Sequence, residues 1–304
     1  MKLLKKISFL SLLPLSAFGW DGWKLTAPPV GGSLVADGSA FSFAFDYRYR
    51  KNDDLFNRYS HIENQTKAST EFNQFLLTAS YRINSTWLFS TQIPFTDATR
   101  RERDKPDINM NGLGDITMST TYLPRADENS IWSRLRLSAG FILPTGKPRD
   151  NPALGDVAPT VFQLGTGTTQ LALGANYFAT LNNDWSFFSG ANITFPLYES
   201  SKGFRPAETY AFRVGISRSI TENLKSRLSL NFSHGEKDEF QGNEIGYTGS
   251  TVLSVTPALI YTINEDFSAS TSILIPAHRR VNETALAVGP LWSLGLSYSF
   301  WQES

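Results

Sequence analysis

The chain has 304 residues, with 28 basic and 28 acidic side chains and no cysteine. This charge balance gives no support to a nucleic-acid partner, and the lack of cysteine excludes disulfides and thiolate metal sites. After the N-terminus no run of about eighteen apolar residues occurs, which argues against membrane-spanning helices. A membrane β-barrel stays open, because a barrel strand needs only about 9–11 residues and half of them can be polar.

The N-terminus has the three parts of a secretion signal. Residues 1–19 begin with lysines, continue with a short apolar stretch from Ile7 to Leu15, and place Ala17 and Gly19 at the small positions of an A-x-A-like cleavage site. A membrane anchor is the alternative, but this apolar run is too short to span a bilayer. We therefore predict a signal peptide over 1–19, then an irregular segment over 20–37, then a barrel over 38–304.

From residue 38 onward the chain alternates apolar and polar residues with a period of two. The last segment shows the pattern best, with Trp292, Leu294 and Leu296 separated by Ser293 and Gly295. A period of two places the two sets on opposite faces of a β-strand. The pattern predicts twelve strands: 41–50, 75–82, 87–93, 116–122, 134–143, 171–179, 185–195, 210–216, 224–232, 253–261, 267–275 and 292–300.

The connections between these strands alternate short and long. Short polar turns such as 182–184 and 264–266 follow the even strands, whereas long polar stretches such as 51–70, 97–112 and 235–249 follow the odd strands. Bacterial outer-membrane barrels have short periplasmic turns and long extracellular loops. The predicted fold class is thus all-β: an antiparallel transmembrane β-barrel of about twelve strands, located in the outer membrane.

Aromatic residues cluster near the ends of the strands that meet at short turns. They are Tyr81, Trp87, Trp185, Tyr261, Phe267 and Tyr298. An aromatic girdle at the headgroups is typical of such barrels. The alternative is a soluble β-sandwich with these aromatics in its core, but a sandwich does not account for the alternation of short and long connections.

Three short glycine-rich motifs resemble those of a bacterial outer-membrane family, the MetA-pathway phenol degradation family. The motifs are Gly112-Leu113-Gly114-Asp115, Leu143-Pro144-Thr145-Gly146 and Leu164-Gly165-Thr166-Gly167. The resemblance is concentrated in 112–180, and it implies an outer-membrane channel for small solutes, with aromatic compounds among the candidates. It provides no catalytic residues.

The polar phase of the strands predicts which side chains face the lumen. We expect the solute path to be lined by Arg48, Arg82, Arg134, Arg136, Arg213, Arg227, Asp46 and Asp115, with Lys225 in the same phase. A basic lining favours anions or solutes with negative edges. In the alternative, the arginines pair with loop carboxylates and fill the interior as a plug. Twelve strands lie between the filled small barrels and the open large ones, so both interpretations stay open.

An enzyme is the main rival class, since some outer-membrane barrels hydrolyse lipids. Such chemistry needs a base beside a nucleophile. The three histidines, His61, His234 and His278, fall in or beside predicted external loops, and Ser233 and His234 point to opposite faces. We therefore expect no enzyme, no cofactor and no metal site.

The sequence as a whole predicts an outer-membrane channel for passive uptake of small molecules, with aromatic or hydrophobic compounds among the candidate solutes. A lipid-modifying barrel enzyme and a closed structural or adhesive barrel are the alternatives. Expected partners are outer-membrane lipids, the barrel-assembly machinery and lipopolysaccharide, whose phosphates Arg100, Arg101 and Arg103 could contact. The loop 145–168, with Val157, Val161 and Phe162, is the predicted access site for hydrophobic solutes.

Overall fold

The computed structural model describes residues 39–124, 134–147, 150–151, 156–157 and 163–301. The predicted signal peptide, the segment 20–37, Val161 and Phe162 lie outside the described residues, as does the side chain of Val157. Within the part that is described, no helix is long and apolar enough to cross a membrane.

Twelve long strands form one sheet, which confirms the predicted strand count. Strand β4 is interrupted at Gly114 and Asp115 and has two parts. The strands are β1 Ser39–Asn52, β2 Ser69–Arg82, β3 Trp87–Arg101, β4 Ile108–Leu113 with Ile116–Tyr122, β5 Leu135–Leu143, β6 Gln170–Thr180, β7 Trp185–Pro196, β8 Thr209–Ser219, β9 Leu224–Gly235, β10 Ser250–Thr262, β11 Phe267–Val281 and β12 Leu291–Trp301.

The sheet closes on itself. Each strand pairs antiparallel with its neighbours in the chain, and β1 also pairs with β12 from Ser39↔Trp301 to Arg50↔Leu291. Closure gives each of the twelve strands a hydrogen-bonded neighbour on both sides. The observed architecture is therefore the predicted antiparallel barrel.

Four of the short turns span four residues each, and in each a side-chain oxygen accepts hydrogen bonds from the backbone of the turn. Asn84, Asn182 and Asn264 each accept two backbone N–H bonds with their side-chain oxygen, at 2.7–3.0 Å. In the fourth turn the hydroxyl of Thr221 accepts the N–H of Leu224 at 3.0 Å. Asn favours such turns because its side chain can satisfy the backbone nearby. We call this end of the barrel the short-turn end, and the opposite end the long-loop end.

Several strands extend further toward the long-loop end than the sequence pattern predicts. β2 begins at Ser69, β3 continues to Arg101 and β11 continues to Val281. Beyond the apolar belt both faces of a strand meet water, so both carry polar residues and the twofold alternation disappears. The predicted loop 97–112 consequently contains the end of β3 and the first part of β4.

The outer face of the barrel is apolar, and the inner face is mainly polar. Large apolar side chains that are exposed outward alternate with buried polar or charged side chains, as in Phe41, Phe43 and Phe45 against Ser42 and Asp46. This is the reverse of a soluble protein and is what a lipid-facing barrel requires. It excludes the soluble β-sandwich.

Aromatic rings pair on the outer face near the short-turn end. The ring centroids of Phe41 and Tyr81 are 4.5 Å apart, and those of Phe267 and Tyr298 are 4.4 Å apart. Trp87 packs on Tyr122 at 5.0 Å. Of the predicted girdle, Tyr81, Trp87, Tyr261 and Phe267 are all more than 40% exposed. The arrangement is that of an interfacial belt.

Small sheets cover the long-loop end. One joins Leu55–Asn57, Ser60–Ile62 and Thr284–Leu286, and a second joins Phe204–Arg205, Glu239–Phe240 and Asn243–Glu244. A third pairs Asp150–Asn151 with Asp156–Val157. The first two sheets each join two different loops, whereas the third lies within the loop between β5 and β6.

Candidate functional site

The lumen is the candidate site, and much of its wall is made of small hydroxyl side chains. β11 and β12 contribute Ser268, Ser270, Ser293 and Ser297, all at most 8% exposed. The hydroxyls of Ser268 and Ser297 lie 2.6 Å apart across the two strands. Small residues in this sector leave room in the interior.

β1 places an acidic and two basic side chains in one inward column. Asp46, Arg48 and Arg50 occupy alternate positions and are 1%, 2% and 3% exposed. The carboxylate of Asp46 interacts electrostatically with Arg48, and the guanidinium of Arg50 lies 5.3 Å from the ring centroid of Phe72 on β2. The predicted positions of Asp46 and Arg48 are therefore both inside the barrel.

A second inward cluster extends over β5 to β9 and combines arginines with aromatic rings. The guanidinium carbon of Arg136 lies 5.8 Å from the ring centroid of Phe178. Those of Arg213 and Arg227 lie 5.9 and 5.0 Å from the centroid of Phe188. A guanidinium over a ring face gains cation–π attraction, which fixes the position of its plane.

The remaining predicted cations lie nearer the short-turn end. Arg82 closes β2 and Lys225 lies at the start of β9, both on the inward phase and both half-buried. Arg134 directly precedes β5, half-buried and in phase with Arg136. Basic side chains thus outnumber the carboxylate of Asp46 on the described inner wall, and the local potential is positive.

Asp115 occupies a different environment from the other predicted residues. It lies in the break of β4 and is 5% exposed. Its Oδ1 accepts the N–H of Gly146 at 3.0 Å, and its Oδ2 accepts the N–H and the hydroxyl of Thr166 at 2.9 and 3.0 Å. The Thr145 hydroxyl accepts the N–H of Ile116 at 2.9 Å.

The three glycine-rich motifs of the sequence therefore meet at this one point. Gly112 has φ of 143°, a region that favours glycine. A Cβ on Gly146 or Gly165 would collide with the neighbouring motif, and one on Gly114 would lie 3.2 Å from the Leu164 carbonyl oxygen. Glycine is needed because the backbones approach each other closely. We call this group the Asp115 junction.

Several charged or aromatic inward residues are absent from the predicted site, among them Arg50, Phe72, Phe178 and Phe188. The inward orientation of Arg50 and Phe188 could be predicted from the twofold alternation, because each lies an even number of residues from a predicted inward or polar position on its own strand. The inward orientation of Phe178 is hard to predict from the sequence, because the neighbouring outward residue Tyr177 is also aromatic and the alternation of polar and apolar residues is lost there.

The histidines lie at the long-loop end, as predicted. His234 Nδ1 is 2.8 Å from the Thr251 hydroxyl and its Nε2 is 3.2 Å from Glu236, on the outer face. A hydroxyl, an imidazole and a carboxylate in this order resemble a nucleophile with its base. However, His234 and Thr251 are direct cross-strand neighbours. The backbone N–H groups around them therefore donate hydrogen bonds within the sheet and do not form an oxyanion hole.

External charges are paired with one another. Arg101 lies 3.0 Å from Glu71 and 3.4 Å from Asp107, and Arg100 lies 3.7 Å from Glu102. Two of the three arginines expected to contact lipopolysaccharide therefore have carboxylate partners. Among the residues that the structure describes, no group of three or more His, Cys, Asp or Glu is arranged to hold a metal ion.

The family model described as "Putative MetA-pathway of phenol degradation" matches residues 57–289. The crystal structure of an outer-membrane channel from Pseudomonas putida F1 superposes with a TM-score of 0.66 at 12% identity, covering 86% of this chain and 96% of that one. The β-domain of the Bordetella autotransporter BrkA gives a TM-score of 0.52 at 13% identity, covering 86% and 100%. No curated protein matches the sequence.

Proposed function

This chain belongs to the MetA-pathway phenol degradation family, and we propose that it is an outer-membrane channel through which small molecules diffuse passively. The observation that carries the proposal is a closed twelve-stranded barrel with an apolar outer face and a polar, basic inner face. The channel from Pseudomonas putida F1 shares this fold. Such a barrel exposes apolar side chains only where lipid covers them.

The proposed solute path follows the predicted inward residues. Arg48, Arg82, Arg136, Arg213 and Arg227 face the lumen beside Asp46. Fixed positive charge in a low-dielectric pore attracts anions and repels cations. We therefore expect the pore to prefer small anionic solutes over cations.

The test is a planar-bilayer recording on folded, purified protein in a KCl gradient. We expect a conductance and a reversal potential that shows preference for chloride. Arg227→Gln removes one inward charge and should shift the reversal potential toward zero. Arg218→Gln is the matched control, because Arg218 also contacts an aromatic ring, that of Trp185 at 5.4 Å, but belongs to the outward phase. Absence of any conductance would overturn the channel.

A lipid-modifying enzyme is the second candidate, supported by the contact of His234 with Thr251 and Glu236. We expect mixed micelles of protein and phospholipid to release no fatty acid. Hydrolysis that disappears in His234→Ala, with the barrel still folded, would instead establish the enzyme.

Lipopolysaccharide and the assembly machinery remain proposed partners, supported by the outer-membrane fold.

A further inference from the structure

Phe188, Arg213 and Arg227 form a compact unit on the inner wall, which we call the Phe188 cluster. Phe188 on β7 is the register partner of Gly215 on β8, and its ring tip occupies the space where a Cβ on Gly215 would lie. The ring therefore crosses β8. This brings it beneath Arg213, two residues before Gly215, and beneath Arg227 on β9.

The two arginines of the cluster have no counter-ion among the residues that the structure describes. Their Nε atoms are buried and have no hydrogen-bond partner there, and the half-buried guanidinium groups share a single ring. Two cations held this close repel each other, and buried N–H donors without acceptors cost free energy. A bound anion would remove both penalties at once.

The geometry also determines which kind of anion fits. A guanidinium held near one ring can stack on a second ring and can donate N–H hydrogen bonds from its edge to a carboxylate. Phe178, the half-buried register partner of Phe188, lies 5.8 Å from the guanidinium carbon of Arg136, so a second ring and a further cation lie one strand away. A ring that carries a carboxylate can use both the faces and the edges, whereas an aliphatic anion can use only the edges.

We propose that the channel selects aromatic monoanions, aromatic carboxylates in particular, and that the Phe188 cluster is the selecting site. This inference rests on the proposed channel function and names its solute class. It accounts for a basic lumen and for aromatic side chains inside it with one ligand, because neither a neutral hydrocarbon nor a small inorganic anion would use both features.

The experiment measures how strongly carboxylates block the KCl current in planar bilayers. Benzoate is compared with cyclohexanecarboxylate, which has the same charge and nearly the same size but no aromatic ring. For the natural sequence we expect the half-blocking concentration of benzoate to be about fivefold lower, the equivalent of ~1 kcal/mol for one stacking contact. Arg218→Gln should leave this ratio unchanged, because Arg218 belongs to the outward phase.

Two variants test the cluster itself. Phe188→Leu should reduce the ratio of half-blocking concentrations to under about twofold, because the guanidinium planes lose the ring that orients them. Arg213→Lys keeps the charge but loses the plane, so it should also reduce the ratio while chloride preference persists. If Phe188→Leu fails to fold, the result for Arg213→Lys alone tests whether the Phe188 cluster selects aromatic anions.

The outcomes separate the inference from the function on which it rests. A chloride-preferring current that both carboxylates block equally would overturn aromatic selection and leave the channel intact. An unchanged ratio in folded Arg213→Lys would overturn the role of the cluster. A protein that conducts nothing would overturn the channel itself.

Discussion

Asp115 accepts hydrogen bonds from both the backbone N–H and the hydroxyl of Thr166, at 2.9 and 3.0 Å, across 51 residues of chain. The same carboxylate holds Gly146. One buried side chain thus fixes two loop segments against the break in β4. A carboxylate is suited to this position because it only accepts hydrogen bonds and has two oxygens to share.

Replacing Asp115 by Asn should loosen this junction without unfolding the barrel. The amide NH₂ cannot accept a hydrogen bond, so the donors that met that oxygen become unsatisfied, at a cost of ~2 kcal/mol. Amide hydrogen exchange of peptides containing Gly146 and Thr166 should accelerate. Asp104→Asn, at an exposed loop position, serves as control. Unchanged exchange at both segments would show that Asp115 does not hold them.

Gly165→Ala should destabilise the same junction by crowding. The added methyl would collide with Asp115 Oδ1 and with the carbonyl oxygen of Gly146. Overpacking of this kind costs about 1–3 kcal/mol. The temperature at which the folded form disappears on gels should fall. Ser201→Ala, at an exposed turn position, is the comparison. Equal midpoints for both variants would contradict the prediction.

We predict that Arg279 holds the first and last long loops together. Its Nη1 lies 2.8 Å from Asp54 and donates to the Val288 carbonyl at 3.2 Å, and its guanidinium carbon is 4.7 Å from the ring centroid of Phe56. Arg279→Met removes these contacts, with an expected local loss of ~1 kcal/mol because Asp54 is partly exposed.

The role of Arg279 can be measured by amide hydrogen exchange in Leu55–Asn57 and Thr284–Leu286, which pair with each other at the long-loop end. Exchange there should rise in Arg279→Met and stay unchanged in Lys51→Met. Lys51 forms an exposed ion pair with Asp53 at 3.1 Å, which is expected to contribute little. If both variants raise exchange alike, Arg279 has no special role.

Glu102 should titrate below its usual range. It lies in the loop after β3, where the Lys105 ammonium at 2.8 Å holds the pKa of the carboxyl below its usual value of 4.5. Because the folded pKa is the lower one, the pair stabilises the loop above about pH 4.5. This contribution is lost as the pH falls through the folded pKa.

Titration of the labelled Glu102 carboxyl carbon by NMR tests the pair directly. Lys105→Met should raise the midpoint toward 4.5, whereas Lys147→Met, at an exposed site on another loop, should not change it. A midpoint that ignores Lys105 would show that the hydrogen bond does not persist in solution.

The strand count and the closure of the barrel could be predicted from the sequence because lipid imposes a strict twofold pattern. Phe41, Phe43 and Phe45 must face outward, so the residues between them must face inward. The same pattern located Arg48, Arg136 and Arg213. It failed where lipid no longer acts, as at Ser69–Phe72 and Ala98–Arg101, which the sequence assigns to loops and the structure to strands.

Asp115 and Phe188 show why the site was harder to predict than the fold. The position of Asp115 depends on a break in β4 and on segments dozens of residues away, which no local period encodes. Phe188 belongs to a strand whose other phase holds Phe187, so aromatic residues occupy both faces. Only the cross-strand register shows that Gly215 makes room for its ring.

The pairing of β1 with β12 has a consequence for how the protein is made. The partners Ser42 and Ser299 are separated by almost the whole chain, so this seam carries the largest loop-closure entropy of any strand pair. Contacts so distant in sequence form slowly. Until β12 pairs with it, β1 has one unpaired edge, and such an edge can pair with another chain and promote aggregation.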